Sequence, residues 1–245
     1  MQICIHDSLE LPRQAARLII DCVRSKPDAL LCLAGGDTPR ATYGELVKAA
    51  RAGEVDFSRA TFVGLDEWVG LPADYPGSCT AFMRETLFAP LGIAAQNIVF
   101  FDAVAADLAA ECARVDAFLA QHGPLDLTLL GMGMNGHLGM NEPGCDVDAP
   151  CVVTDLDPIT IQVGQKYFGA GQPVLKHGIT LGMAPFMASR KVLLLVSGAR
   201  KAATLARALE GPIGNQLPAS LLRQHPDAWL LADHEAAGQR AASAQ

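Results

Sequence analysis

No stretch of this sequence approaches the ~20 consecutive apolar residues that cross a bilayer, so no membrane span is expected. The first residues, MQICIHDSLELPRQ, lack the basic segment and long apolar core of a signal peptide, which makes the cytoplasm the default location. Basic residues are few: 19 Lys and Arg stand against 26 Asp and Glu, a formal net charge of −7, which argues against broad nucleic-acid binding. The seven cysteines include no C-x-x-C pair, and an odd count in a cytoplasmic chain argues against a disulfide framework. Neither an internal repeat nor a long Pro-, Gly- or Ser-rich linker divides the 245 residues, which are read as one domain over 1–245.

What is present is a dense apolar pattern. Half of the residues are hydrophobic, enough for a substantial core. Short, nearly continuous apolar runs at 29–34, 61–65, 97–101, 126–130, 191–197 and 227–232 read as strands covered on both faces. Between them, Leu108, Cys112, Val115 and Leu119 mark one helical stripe, and Leu11, Ala15, Leu18 and Cys22 another. Further helices are expected at 39–51, 78–88, 199–210 and 218–224. Strand-helix alternation implies an α/β fold: a doubly wound, mostly parallel, Rossmann-like sheet with helices on both faces. Residues 155–177 have weak periodicity and three Gly, and read either as a mobile flap or as a long connection. The small, polar tail after His234 is expected to fray.

In open α/β sheets, ligands bind beyond the carboxyl ends of the strands. Three polar segments follow predicted strands directly. In AGGDTP, residues 34–39, Gly35 and Gly36 let backbone N–H groups turn toward an anion at a helix start. Thr38 can cap that helix or bind a phosphate oxygen, and Pro39 suits the first helical position. Asp37 would repel a phosphate unless its side chain turns away. The bland alternative is an ordinary tight turn. In GLDEWVGLP, residues 64–72, Asp66 and Glu67 stand at a strand end, where a carboxylate can serve as base for a carbon acid. Taken alone, that segment favours a solvated loop acid or a helix cap.

The richest segment is GMGMNGHLGMNEPG, residues 131–144. Gly131, Gly133 and Gly136 permit tight turns, and Asn135 and Asn141 tolerate left-handed backbone. His137 supplies an imidazole, whose ordinary pKa lies near neutrality. Glu142, five residues on, can orient it or balance its charge. A structural His bonded to loop backbone is the alternative, but a Gly-rich post-strand loop holding both His and acid favours function. No third ligand has metal-site spacing, so no metal is expected. Cys145 and Cys151 lie near this segment; a catalytic thiol there is the less favoured reading. Lys201, at a predicted helix start, and Lys166, in the candidate flap, are the cations available to a phosphate.

GGDTP, LDEWVGLP, GMNGHLGMNEPG, GITLG and SGARKAA run in order from about residue 30 to 210, and LPASLLRQHP extends them to about 226. With these the sequence resembles the glucosamine/galactosamine-6-phosphate deaminase (isomerase) family, in wording closer to the galactosamine branch. The resemblance implies conversion of a 2-amino-2-deoxyhexose 6-phosphate to a ketose 6-phosphate and ammonia. It implies that His137 assists ring opening, that Asp66 moves the C2 proton to C1, and that Glu142 pairs with His137. The Gly35–Thr38 loop and Lys201 would hold the phosphate, with no metal or organic cofactor. Three positions depart from the family pattern: Asn135 where Asp is frequent, Lys166 where an Arg is common, and Asp37 where many relatives have Gly. The sister 6-phosphogluconolactonases share the Gly-His loop but typically lack the Asn-Glu-Pro stretch. A non-catalytic sugar-phosphate sensor is a third option, disfavoured because only about 28 residues precede the first clear strand. The partner implied is a small phosphosugar; the oligomeric state is not legible.

Overall fold

The computed structural model describes residues 1–169, 171 and 173–238. Ten strands occur among them: β1 Gln2–His6, β2 Leu30–Leu33, β3 Thr61–Val63, β4 Asp66–Trp68, β5 Ile98–Val99, β6 Leu127–Gly131, β7 Val152–Asp155, β8 His177–Thr180, β9 Val192–Val196 and β10 Ala228–Asp233. Seven form a parallel sheet in the order β1-β10-β9-β6-β2-β3-β5. Successive strand residues feed opposite cores, as the two-residue period requires. Leu31 and Leu33 of β2 pack with helices Leu11–Ser25 and Asp37–Arg51, and Leu30 and Cys32 with Leu108–His122 and Ala202–Glu210.

The strand order sets the position of the cleft. From β2 the chain builds toward β3 and β5; from β6 it builds toward β9 and β10. The loops after β2 and β6 therefore leave in opposite directions and open a crevice at the carboxyl ends of two adjacent strands. Those loops are the Gly35–Gly36 and His137 segments. At the other end of the same two strands sits Asp126, the one charge in an apolar run. Its Oδ2 accepts from Lys26 Nζ (2.7 Å) and Leu30 N–H (2.8 Å), and Arg190 Nε lies 3.3 Å from Oδ1. Asp126→Ala leaves the buried Leu30 N–H without its partner, so urea unfolding should show a loss of about 2 kcal/mol.

Several elements differ from the sequence expectation. The expected strands are present, but β1 precedes them as an edge strand, paired among the described residues only with β10 and with no buried residue, so its short QICIH run carries little apolar signal. A second sheet, antiparallel in the order β4-β8-β7, was not foreseen. The 218–224 segment is a 3-10 helix, and 78–88 is a five-residue α-helix, Cys79–Met83, running into a π turn. The candidate flap holds a helix, Pro158–Gly164, capped by Asp157, and a 3-10 turn, Gln165–Tyr167; residues 170 and 172 lie outside the described residues. The chain beyond His234 starts as a short helix capped by Asp233, while 239–245 lie outside the described residues. Among the described residues no helix is long and apolar enough to cross a membrane.

Candidate active site

The loop after β2 places Gly36 at φ 108°, a backbone conformation that suits only Gly, at the start of helix Asp37–Arg51. Among the described residues no side chain caps this helix, so the N–H groups of its first turn remain open to an anion. Thr38 is therefore not the cap, and Pro39 occupies the third helical position rather than the first. Asp37 is paired with Lys166 at 2.6 Å, which neutralises the acid that looked out of place in a phosphate loop. The Tyr167 hydroxyl lies over Gly36, 3.4 Å from where a Cβ would be.

Lys201 ends the Ala199–Lys201 turn and donates to the Met132 carbonyl, just past β6. Burial brings its pKa down to about 8, and the charges of Lys166 and Arg200 push the same way. Lys166, held at Asp37 beside the Gly35–Gly36 loop, and Lys201 thus sense one another, which offsets the acidic net charge locally. The sign of the pH effect follows. In the free protein the Lys201 ammonium is lost as pH rises through about 8, so affinity for inorganic phosphate should fall between about pH 7 and 9. Calorimetry in buffers of different ionisation enthalpy should show proton uptake on binding in that range.

The two acids of DEW take different roles. Glu67 accepts from the N–H groups of Trp68, Cys79 and Thr80 and from the Thr80 hydroxyl, at 2.8–2.9 Å, and so fastens β4 to the start of helix Cys79–Met83. Asp66, separated from β3 by only two residues, is pulled into the small sheet opposite Thr180. Burial raises Asp66 to about 6; the Cys79 thiol and His137 draw it down, while Glu67 adds to the rise. An acid held near neutrality by burial is suited to accept and return a proton.

The His137 loop is built around its ring. A Cβ on Gly133 would lie 2.3 Å from the imidazole, so only Gly fits there. Gly136 has positive φ, but among the described residues no non-Gly residue does, so neither Asn135 nor Asn141 is left-handed. Asn141 instead ties the loop to the Leu138 and Leu181 carbonyls. Asn135 is a bridge: its Nδ2 donates to Glu142 Oε2 at 2.8 Å, which turns Oδ1 toward His137 Nδ1, also 2.8 Å away. Glu142 Oε2 lies 3.3 Å and the Thr160 hydroxyl 3.1 Å from the same Nδ1. With acceptors gathered there, Nδ1 carries a proton, which leaves Nε2 as the ring atom that faces a ligand's protons. Burial pushes Glu142 up, but hydrogen bonds from His137, Thr160 and Asn135 and the His137 charge outweigh it and bring the group to about 2. Glu142 therefore stays anionic and supplies the charge that Asn135 cannot.

Asp66 follows β3 and His137 follows β6, the two neighbours of β2, and each is close enough for His137 to act on the Asp66 charge. The cleft thus gathers Asp66, Asn135, His137, Glu142, Gly36, Lys201 and Lys166. Burial and the bond to Asp116 push the Cys151 thiol far up, and burial raises Cys145, so neither is poised as a thiolate. Cys79, whose N–H bonds Glu67, also lies beside the acids of DEW. Sequence reasoning also passed over Thr160 and Tyr167; the one local signal for Thr160 is the Asp157-Pro158 helix start.

The sequence model of the family described as glucosamine-6-phosphate isomerases/6-phosphogluconolactonase matches residues 8–231. The chain belongs to this family. Among curated family relatives it is 41% identical over 215 residues to the putative deaminase AgaI of Escherichia coli (strain K12), covering 88% of this chain and 84% of that one. It is 38% identical over 227 residues to the glucosamine-6-phosphate deaminase of Geobacillus sp. (strain WCH70), covering 93% and 90%. The solved structure of a monomeric glucosamine-6-phosphate deaminase superposes with a TM-score of 0.93 at 36% identity, covering 97% of this chain and 99% of that one.

Proposed function

We propose that the chain is a cytoplasmic enzyme that converts a 2-amino-2-deoxyhexose 6-phosphate, of the glucosamine or galactosamine series, to the ketohexose 6-phosphate and ammonia. The observation that carries this reading is a buried carboxylate, Asp66, held near pKa 6 within electrostatic reach of an imidazole whose Nδ1 is fixed and whose Nε2 is free to exchange a proton. Lys201, Lys166 and the Gly35–Gly36 loop supply the phosphate anchor.

The chemistry needs two proton handlers on adjacent atoms. His137 Nε2 takes the proton of the C1 hydroxyl and delivers one to the ring oxygen, which breaks the C1–O5 bond and exposes the aldehyde. Asp66 removes the proton from C2, acidified by that carbonyl, and returns it to C1. The electron pair left at C2 forms the C1=C2 double bond of an enolamine as the C1 oxygen takes up a proton; when the proton is returned to C1, the nitrogen lone pair forms the C2=N bond, and water adds to that imine to expel ammonia. The Glu142 anion steadies the imidazolium between the two transfers. Both steps run without a metal or an organic cofactor.

The test is an ammonia-release assay with both C4 epimers of the amino-sugar phosphate, alongside hydrolysis of a 6-phosphosugar lactone. Release from one or both epimers is the expected result. Lactone hydrolysis without ammonia release would replace this reading with the lactonase one.

A further inference from the structure

The loop that seats His137 contains a β-turn. The Gly136 N–H bonds the Gly133 carbonyl at 3.1 Å, which puts Met134 and Asn135 at the centre of the turn. The central peptide of such a turn can face either way. The type II form sets its second central residue at positive φ, a conformation that Asn tolerates. Asn135 is not at positive φ, so the other form is present. The difference matters for the site. Turning the Met134–Asn135 peptide over would re-aim the Asn135 side chain, whose Oδ1 meets the His137 N–H at 3.2 Å and Nδ1 at 2.8 Å.

Thr204, in helix Ala202–Glu210, holds that peptide: its hydroxyl donates to the Met134 carbonyl at 2.8 Å. A Thr in a helix commonly gives its single donor to a carbonyl one turn back. This one gives it to a carbonyl 70 residues away in sequence. The side chain is buried, and Gly136 allows the close approach: a Cβ there would lie 3.5 Å from the Thr204 methyl carbon. Three positions earlier, on the same side of the helix start, Lys201 donates to the Met132 carbonyl.

We propose that Thr204 is a positioning residue for His137: by holding the Met134 carbonyl it keeps the turn in the form that brings Asn135 against the imidazole. The proposal rests on the deaminase reading of the site. Under that reading Lys201 leaves Met132 for the substrate phosphate, and the Thr204 hydrogen bond still ties this helix to the His137 loop.

Two variants separate the hydroxyl from the methyl. Thr204→Val keeps the shape and loses the donor; Thr204→Ser keeps the donor. Thr204→Val should lower kcat for ammonia release by roughly 3- to 10-fold, the worth of one ordinary hydrogen bond, with KM nearly unchanged. Thr204→Ser should stay within about twofold of the wild type. In an Asn135→Ala background the Val substitution should cost less than about twofold, because the residue through which Thr204 acts is gone. A further readout needs no turnover. The Asn135 side-chain amide, bonded to Glu142, gives an NMR signal identified by its loss in Asn135→Ala. That signal should move in Thr204→Val and stay in place in Thr204→Ser.

A merely structural Thr204 would lower activity by the same factor with and without the Asn135 side chain, and that result overturns the proposal. So does a Thr204→Val enzyme with wild-type kcat or an unmoved Asn135 amide, or a Thr204→Ser enzyme as slow as Thr204→Val. If Thr204→Val does not fold, Thr204→Ala takes its place as the variant without a donor. A wild type that releases no ammonia would sink the deaminase reading, and the Asn135 amide would still decide whether Thr204 holds the turn.

Discussion

Asp66→Asn is expected to lower kcat for ammonia release by roughly 10²–10⁴-fold, the usual cost of losing a general base. Asn keeps the shape of Asp and adds no bulk, so phosphosugar binding should change little. The same variant should be more stable than the wild type. The folded-state pKa of Asp66, about 6, lies above the ordinary 3.8. The folded protein therefore binds the proton more tightly, and stability falls as pH rises from about 4 to about 6. Above that range the cost of the buried charge is fully present, and removing it should raise the unfolding free energy at pH 7 by about 2–3 kcal/mol. Near-normal turnover in the Asp66→Asn variant would remove Asp66 from the chemistry. An inactive variant with unchanged stability would contradict the burial argument alone.

His137→Asn is the second large effect, in the same range of roughly 10²–10⁴-fold. Asn is too short to carry a proton between the C1 hydroxyl and the ring oxygen. Glu142 keeps its bonds from Asn135 and the Asp157 N–H, so the loop has other ties to hold it. The two variants should differ in one measurable way. With deuterium at C2 of the substrate, Asp66→Asn makes C–H cleavage slower still, and the full isotope effect should appear. His137→Asn makes ring opening slow, and the isotope effect should vanish. A loss below about threefold would return His137 to a structural role, since acid–base catalysis is worth far more.

The main sheet was legible because β2, β6 and β9 are buried on both faces and read as unbroken apolar runs. The edge strand β1 was not, since none of its residues is buried and no run forms. The small sheet escaped for another reason: its strands are three or four residues long, and their pairing joins positions about 110 residues apart, such as Asp66 and Thr180. In the cleft, residue types were legible and their division of labour was not. Asp66 and Glu67 look alike in the sequence; only the folded start of helix Cys79–Met83 shows that one is consumed by four hydrogen bonds. Asp37 looked like a fault until Lys166, 129 residues away, was found beside it. Thr160 reaches His137 from a segment with little periodicity of its own.

The three-stranded sheet has a mechanical consequence. Its first strand begins with Asp66, and its other two strands, β7 and β8, are the two ends of the segment that carries Thr160, Lys166 and Tyr167. Under the proposed function, the proton acceptor and the segment over the phosphate loop therefore share one foundation. Under that reading, a ligand whose phosphate draws Lys166 would pull on the strand that is zipped to Asp66, so grip at one end of the hexose would be felt as alignment at the other.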